Sequence, residues 1–309
     1  MKRKPILIIT GGINSIFYEI LFKSLKKIKI KSPLIFITSK KIFQSKMKKF
    51  SFKKKIELLS NIQSQKKFNN NKIYIINIDD KNNNYLKKCF GVAFRFLKSG
   101  LTHKFINAPI NKTKFLNKKF LGITEYISEH FKVKKNAMLI FNKELSVCPV
   151  TTHLPLKLVT KKISKKLIIE KIILIDNFYT NHFGYKPKIA ITGMNPHCES
   201  VLKQNEDEKI TLPAITQSKK LGFKVKGPFS ADTIFQKNNR KKFDVVIGMY
   251  HDQVLAPFKT LYEFDAINIT LGLPFYRISP DHGPNEKMVN KYLSNPLSLI
   301  RALEFLDSK

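Results

Sequence analysis

The chain has 309 residues, 43% of them apolar, enough for a large core and for two domains. No run approaches the ~18 consecutive apolar residues of a membrane span. Three widely spaced cysteines, Cys89, Cys148 and Cys198, do not make a disulfide scaffold. The net charge is +35, but only five of the 57 basic residues are arginine and the lysines are scattered, so the charge reads as a solvated surface that attracts small anions, not as a nucleic-acid interface.

The N-terminal MKRKPILIITGG lacks the apolar core and cleavage site of a signal peptide. Ile6–Thr10 therefore reads as a first strand, and the cytoplasm is the expected compartment. Ile16–Lys27 is an amphipathic helix with Ile16, Ile20, Leu21 and Leu25 on one face. Pro33–Thr38 and Lys72–Ile78 read as strands, separated by a Lys-rich region without sharp periodicity. Lys81–Asn84 is a polar loop. Tyr85–Leu97 is a helix with Cys89, Phe90, Ala93 and Leu97 inward, and Phe105–Ala108 is a short strand stopped by Pro109. Ala137–Phe141 and Leu145–Val150 form a hairpin around Asn142–Glu144, which marks a second subdomain or a dimer arm. Ser164–Phe183 is a long helix. Lys188–Thr192, Lys224–Lys226, Val245–Tyr250 and Ala266–Thr270 continue the strands. A last helix runs from Pro296 to Leu306, with Asn295 as N-cap. This alternation is that of an α/β fold, a parallel sheet covered by helices.

His153, His197 and His251 each follow an apolar run that reads as a buried strand. Ligands of open α/β sheets bind outside the carboxyl ends of the strands. Three imidazoles delivered there suit one divalent metal, with positions left for a substrate. A single such histidine is more often a satisfied core residue; three in one setting shift the balance toward ligation. Pro155 and Pro196 stiffen the backbone beside two of them. Asp252 reads either as an acceptor that orients an imidazole or as a helix N-terminal acid. Cys198 is a fourth ligand or, more simply, a small buried residue. In KGPFSADTIF (226–235) a helix opens at Ser230, and Asp232 is either a cap or an acid–base group. Lys259 and Arg277 near a strand end suit a phosphate or carboxylate. TGGINS follows a strand but is not G-x-G-x-x-G, so the Rossmann dinucleotide fingerprint is absent.

Seven strings stand out: APINK (Ala108–Lys112), TTHLPLK (Thr151–Lys157), NPH (Asn195–His197), GPFSADTIF (Gly227–Phe235), YHDQ (Tyr250–Gln253), NITLGLPF-x-R (Asn268–Arg277) and DHG (Asp281–Gly283). In this order, over nearly the whole chain, the sequence resembles the 4-hydroxythreonine-4-phosphate dehydrogenase family. The resemblance implies a two-domain α/β/α fold similar to isocitrate and isopropylmalate dehydrogenases. Residues 1–124 and 266–309 would form one domain and 125–265 the other, with the active site in the cleft between them, completed across a homodimer. It implies a divalent metal (zinc, cobalt, magnesium or manganese) on His153, His197 and His251. Substrate contacts fall on Thr124, Lys259, Asn268 and Arg277. Lys259 and Asp232 are the catalytic acid–base candidates. Residues 281–300 resemble a cofactor loop that brings His282 and Gly283 to NAD or NADP.

The implied reaction oxidises 4-hydroxythreonine 4-phosphate to an α-amino-β-keto acid, which decarboxylates to 3-amino-2-oxopropyl phosphate in pyridoxal phosphate biosynthesis. Neither nucleic acid nor membrane is an expected partner. Three departures stand beside the resemblance. Ile123 occupies the place of a usual histidine before the Thr-Glu pair, and His130 is the nearest other imidazole in that stretch. GGINSIFYE (Gly11–Glu19) replaces GDP-x-GIGPE. NPH continues as Cys-Glu-Ser. The alternatives are a sister dehydrogenase acting on a threonate or erythronate 4-phosphate, and a non-catalytic homologue.

Overall fold

The computed structural model describes residues 3–12, 15–59, 68–79, 84–110, 115–116, 120, 122–198, 205–280, 283, 285–289 and 291–308. The chain divides into two compact units. One comprises Met1–Tyr126, Phe264–Ile267 and Pro274–Lys309; the other comprises Ile127–Glu263 and Asn268–Leu273. The described strands are β1 (Ile6–Ile9), β2 (Leu34–Thr38), β3 (Lys55–Leu58), β4 (Lys72–Asn77), β5 (Lys104–Asn107), β6 (Ala137–Phe141), β7 (Ser146–Pro149), β8 (Ile189–Thr192), β9 (Val225–Phe229), β10 (Val245–Gly248), β11 (Ile267–Leu271) and β12 (Tyr276–Pro280).

In the first unit the strands run β3-β4-β2-β1-β5-β12, all parallel. The sequences ILII and LIFIT are apolar without alternation because helices cover both faces of a parallel sheet. Helix Phe17–Lys27 buries Phe17, Tyr18, Ile20, Leu21 and Phe22. Phe22 stacks on Phe52 with ring centres 4.9 Å apart and meets the edge of Phe43 at 5.6 Å. In a chain with 25 phenylalanines and no tryptophan, such clusters carry much of the core, each ring contributing about 1.5–3 kcal/mol by burial.

The Lys-rich stretch after β2 proves to be helix Lys40–Lys49 followed by β3. Ser39 caps the helix, its hydroxyl accepting the Ile42 amide at 3.4 Å. Only Ile42, Phe43 and Met47 face inward, so the apolar stripe is lost among lysines. β3 (KIEL) is an edge strand guarded by charge, with Lys72 Nζ 2.7 Å from Glu57 Oε2. The last helix is Leu297–Asp307, with Pro296 at the cap position. Asn295 Oδ1 accepts the Leu297 amide at 2.9 Å, one residue outside the cap expected for it.

In the second unit the order is β11-β6-β7-β10-β8-β9. β7, β10, β8 and β9 are parallel, and β6–β7 is the antiparallel hairpin, with Ile140 opposite Val147. Helix Lys165–Phe183 starts at Ser164, whose hydroxyl accepts the Leu167 amide, and ends at Gly184 in the left-handed conformation (φ 80°) that a glycine C-cap permits. His182, at its end, is buried and stacked on Phe178 at 5.2 Å, a core histidine. Strand β10 stops at Gly248, short of the expected Tyr250, because helix His251–Tyr262 begins there.

Candidate active site

The carboxyl ends of β7, β10 and β8 lie side by side in one parallel array, so the turns that follow them leave at one edge. The turn after β7 is laced to the turn after β10. The Val150 amide donates to Gly248 O at 2.7 Å, and the Thr151 hydroxyl to Met249 O at 2.8 Å. His153 and His251 are thereby paired, with ring centres 6.1 Å apart and planes tilted by 37°. His251 Nδ1–H donates to Asp252 Oδ1 at 2.6 Å, which leaves Nε2 as the outward lone pair. A metal–nitrogen bond of about 2.0–2.1 Å puts a ring centre about 3.2 Å from an ion, so two imidazoles on one tetrahedral ion have centres about 5.2 Å apart. At 6.1 Å the pair is near that spacing but wider than it.

His197 lies elsewhere. It sits in the turn after β8 with φ 56°, exposed, and its Nδ1 is 3.4 Å from Ser230 Oγ and 4.0 Å from Asp232 Oδ2. The Ser230 hydroxyl donates to Asp232 Oδ1 at 2.5 Å. That bond, with the nearby imidazole and backbone amides, holds the Asp232 carboxyl below its usual range. His197 thus also has Nδ1 engaged and Nε2 presented. Among the described residues, no three His, Cys, Asp or Glu side chains come close enough to share an ion. The structure brings His153 and His251 together and sets His197 apart, with Ser230 and Asp232.

Gln253 joins the two turns. Its Oε1 accepts the Met249 amide at 2.6 Å and the Thr192 hydroxyl at 2.8 Å, and its Nε2 donates to Gly193 O at 2.8 Å. Two turns further along the same helix, Lys259 is exposed. Asn268, on β11, is half-buried, and its Oδ1 is closed off from solvent without a hydrogen-bond donor. An acceptor in that state suits a ligand's N–H or O–H.

In the first unit, Arg277 and Thr124 are in contact. Arg277 is 4% exposed. Its Nε donates to Asn107 Oδ1 at 2.7 Å and its Nη1 to Thr124 Oγ1 at 3.1 Å. Burial pushes the guanidinium down to about 10, against the pull of the Glu125 carboxylate, so it remains a cation at neutral pH. A buried, oriented guanidinium suits a phosphate or carboxylate. Ile123 is 7% exposed, a core residue at the start of helix Ile123–His130, so that position presents no polar group. His130 is at the opposite end of the helix, about 10 Å along the axis, and does not stand in for it. Gly283 is exposed, while His282 lies outside the described residues. Sequence reasoning missed Asn107 and Gln253 as partners of the site. Each stands inside or beside a recognised string, but only the sheet reveals what it touches.

The model of the family described as pyridoxal phosphate biosynthetic protein PdxA matches residues 29–306. The chain belongs to the PdxA family. It is 37% identical to a 4-hydroxythreonine-4-phosphate dehydrogenase from Sulfurihydrogenibium sp. over 311 residues, 95% of this chain and 94% of that one. A crystal structure of 4-hydroxythreonine-4-phosphate dehydrogenase from Klebsiella pneumoniae superposes with a TM-score of 0.83 at 25% identity, covering 98% of both chains. Isocitrate dehydrogenase from Methylococcus capsulatus shares the fold at 9% identity, with a TM-score of 0.51 over 98% of this chain and 84% of that one. The expected α/β architecture of the PdxA and isocitrate dehydrogenase type therefore holds.

Proposed function

We propose that this PdxA-family chain is a cytoplasmic, homodimeric oxidoreductase of pyridoxal phosphate biosynthesis. It oxidises 4-hydroxythreonine 4-phosphate to the α-amino-β-keto acid, which loses carbon dioxide to give 3-amino-2-oxopropyl phosphate. The observation that carries the reading is the His153–His251 pair with Asp252 on Nδ1, in a chain so similar to a dehydrogenase of that name. When bound, a divalent metal supplies Lewis acidity at the substrate hydroxyl and NAD or NADP accepts the hydride. His153 and His251 hold the metal, and His197 of a second copy completes the set, since in one chain it is apart from the pair. Asp252 and the Ser230–Asp232 couple fix the tautomers of His251 and His197. Arg277, braced by Asn107 and Thr124, takes the substrate's phosphate or carboxylate. Asn268 accepts from the substrate's amino group. The proton acceptor at the hydroxyl is Asp232, whose Oδ2 remains an acceptor beside the Ser230 bond to Oδ1, or Lys259 once its ammonium has given a proton to solvent. His282 and Gly283 meet the nicotinamide cofactor.

The test is reduction of NAD and NADP, followed by absorbance, with 4-hydroxythreonine 4-phosphate and with threonate and erythronate 4-phosphates. Each is run with and without a chelator. The buried Ile123 is the reason for including the sister substrates. Faster turnover of either one replaces the substrate assignment. A His251→Ala variant that keeps its turnover overturns the metal role.

A further inference from the structure

The turn that carries His197 has a backbone that L-residues rarely adopt. His197 and Cys198 follow one another at φ 56° and 61°. Such a conformation persists only where the surroundings over-determine it. The turn is tight as well. A Cβ on Gly193 would lie 2.8 Å from Cys198 Sγ and 3.1 Å from its Cα.

Two neighbouring carboxylates hold the residues just before His197: Glu206 Oε2 accepts from Asn195 Nδ2 at 3.2 Å, and Asp207 alone takes the backbone amides. Asp207, 1% exposed, accepts the Met194 amide on Oδ1 at 2.7 Å. Its Oδ2 accepts the Asn195 amide at 2.9 Å and Asn195 Nδ2 at 3.1 Å. Both carboxylate oxygens are thus engaged by two consecutive residues of the turn. Asp207 is itself fixed from behind, where Asn205 Oδ1 accepts its amide at 2.9 Å. On the far side, Gly193 is held by Phe229 O and Gln253, and Cys198 N closes the turn on Asn195 O at 3.1 Å.

We propose that Asp207 is a positioning residue for His197. Its carboxylate fixes the 194–195 amides and so aims the imidazole. The proposal rests on the reading of His197 as a metal ligand. Asp207→Asn is the matching perturbation. An amide offers one acceptor oxygen where two are used, and turns an N–H toward a backbone N–H.

Three measurements test it. Amide hydrogen exchange in Asp207→Asn is expected to lose protection at Met194 and Asn195 at least tenfold, with the strands unchanged. Zinc affinity, by chelator competition, is expected to weaken about 10–100-fold, with kcat falling and substrate KM little changed. In a His197→Ala background the same substitution is expected to cause no further loss of zinc affinity. A merely structural role would still show one. Asn205→Ala, which removes the acceptor of the Asp207 and Glu208 amides and leaves the Asp207 carboxylate in place, gives a smaller effect of the same kind if Asp207→Asn fails to fold. Wild-type zinc affinity in Asp207→Asn, or an equal further loss in the His197→Ala background, overturns the proposal. If the wild-type chain binds no metal, the ligand reading fails on its own. The exchange data then decide the clamp: lost protection upholds it and unchanged protection overturns it.

Discussion

Gly248, the last residue of β10, faces the first turn of the helix that begins at His251. A methyl there would lie 2.4 Å from Val254 Cγ1, 3.3 Å from Cγ2 and 3.1 Å from Gln253 Oε1. Carbon atoms rest at about 3.5–4.0 Å. Val254 is fully buried, and a β-branched side chain inside a helix has one strongly preferred rotamer. It has nowhere to swing, so relief comes from moving the helix by roughly 1 Å, and His251 moves with it. Gly248→Ala is therefore expected to cost about 1–3 kcal/mol of stability as overpacking. It is also expected to lower kcat by up to about a hundredfold, the scale that a 1 Å misplacement can reach. Val254→Ala alone removes two methyl groups, about 1.6 kcal/mol at ~0.8 kcal/mol each, and leaves the helix in place. The double variant has space for the new methyl, so its kcat should return to within a few-fold of Val254→Ala. Thermal melts and steady-state rates on the four proteins complete the cycle. Wild-type turnover in Gly248→Ala, or a double variant as poor as the product of the two singles, refutes the reasoning.

Asn107→Ala leaves the buried Arg277 cation without its Nε partner, a loss of about 1.5–3 kcal/mol. Substrate KM should rise tenfold or more, and an unchanged KM would show that Asn107 does not brace the guanidinium. Arg277→Lys should be as damaging, since an ammonium has no planar fork to reach Asn107 and Thr124 while facing a phosphate. Inorganic phosphate competition against substrate reads this directly. Burial pushes the Cys89 and Cys148 thiols up to about 12, while Cys198 is half-buried. At pH 8 the native chain should release one equivalent of chromophore from an aromatic disulfide reagent and three in denaturant; three from the native chain would show that the buried thiols are open. For an acid raised from 9.0 to about 12 on folding, the stabilisation is complete below pH 9 and is lost as pH climbs toward 12. Between pH 9 and 10.5 Cys148 should therefore cost about 1.6 kcal/mol that Cys148→Ala does not lose. Urea unfolding of both proteins at the two pH values measures the difference.

The parts of the fold that were legible in the sequence are those where one physical signal acts alone. β1 and β2 are unbroken apolar runs because both faces are covered, and helix Lys165–Phe183 carries its cap and its terminating glycine in the sequence. Helix Lys40–Lys49 was hidden because three inward residues are outnumbered by lysines. Helix His251–Tyr262 was obscured by Pro257 in its interior, and β12 by the buried charge of Arg277 and by Pro280. At the site, the sequence marked His153, His197 and His251 alike, as histidines after buried strands; that two of them leave adjacent parallel strands is seen only in the sheet. The separation of His197 was not readable: it sits in a turn that is left-handed at His197 and Cys198, and no local pattern announces that. The brace of Arg277 by Asn107 spans 170 positions and leaves no trace in local pattern.

The interleaved course of the chain has a consequence for its birth. β5 receives its outer neighbour, β12, only some 170 residues after β5 itself is made. At a synthesis rate of about 5–20 residues per second, that edge waits about 10–30 s with its backbone groups unpaired. Meanwhile the whole Ile127–Glu263 stretch emerges. The segment translated first is thus completed last, and among the described strands that gain a partner, that one stays open the longest during synthesis.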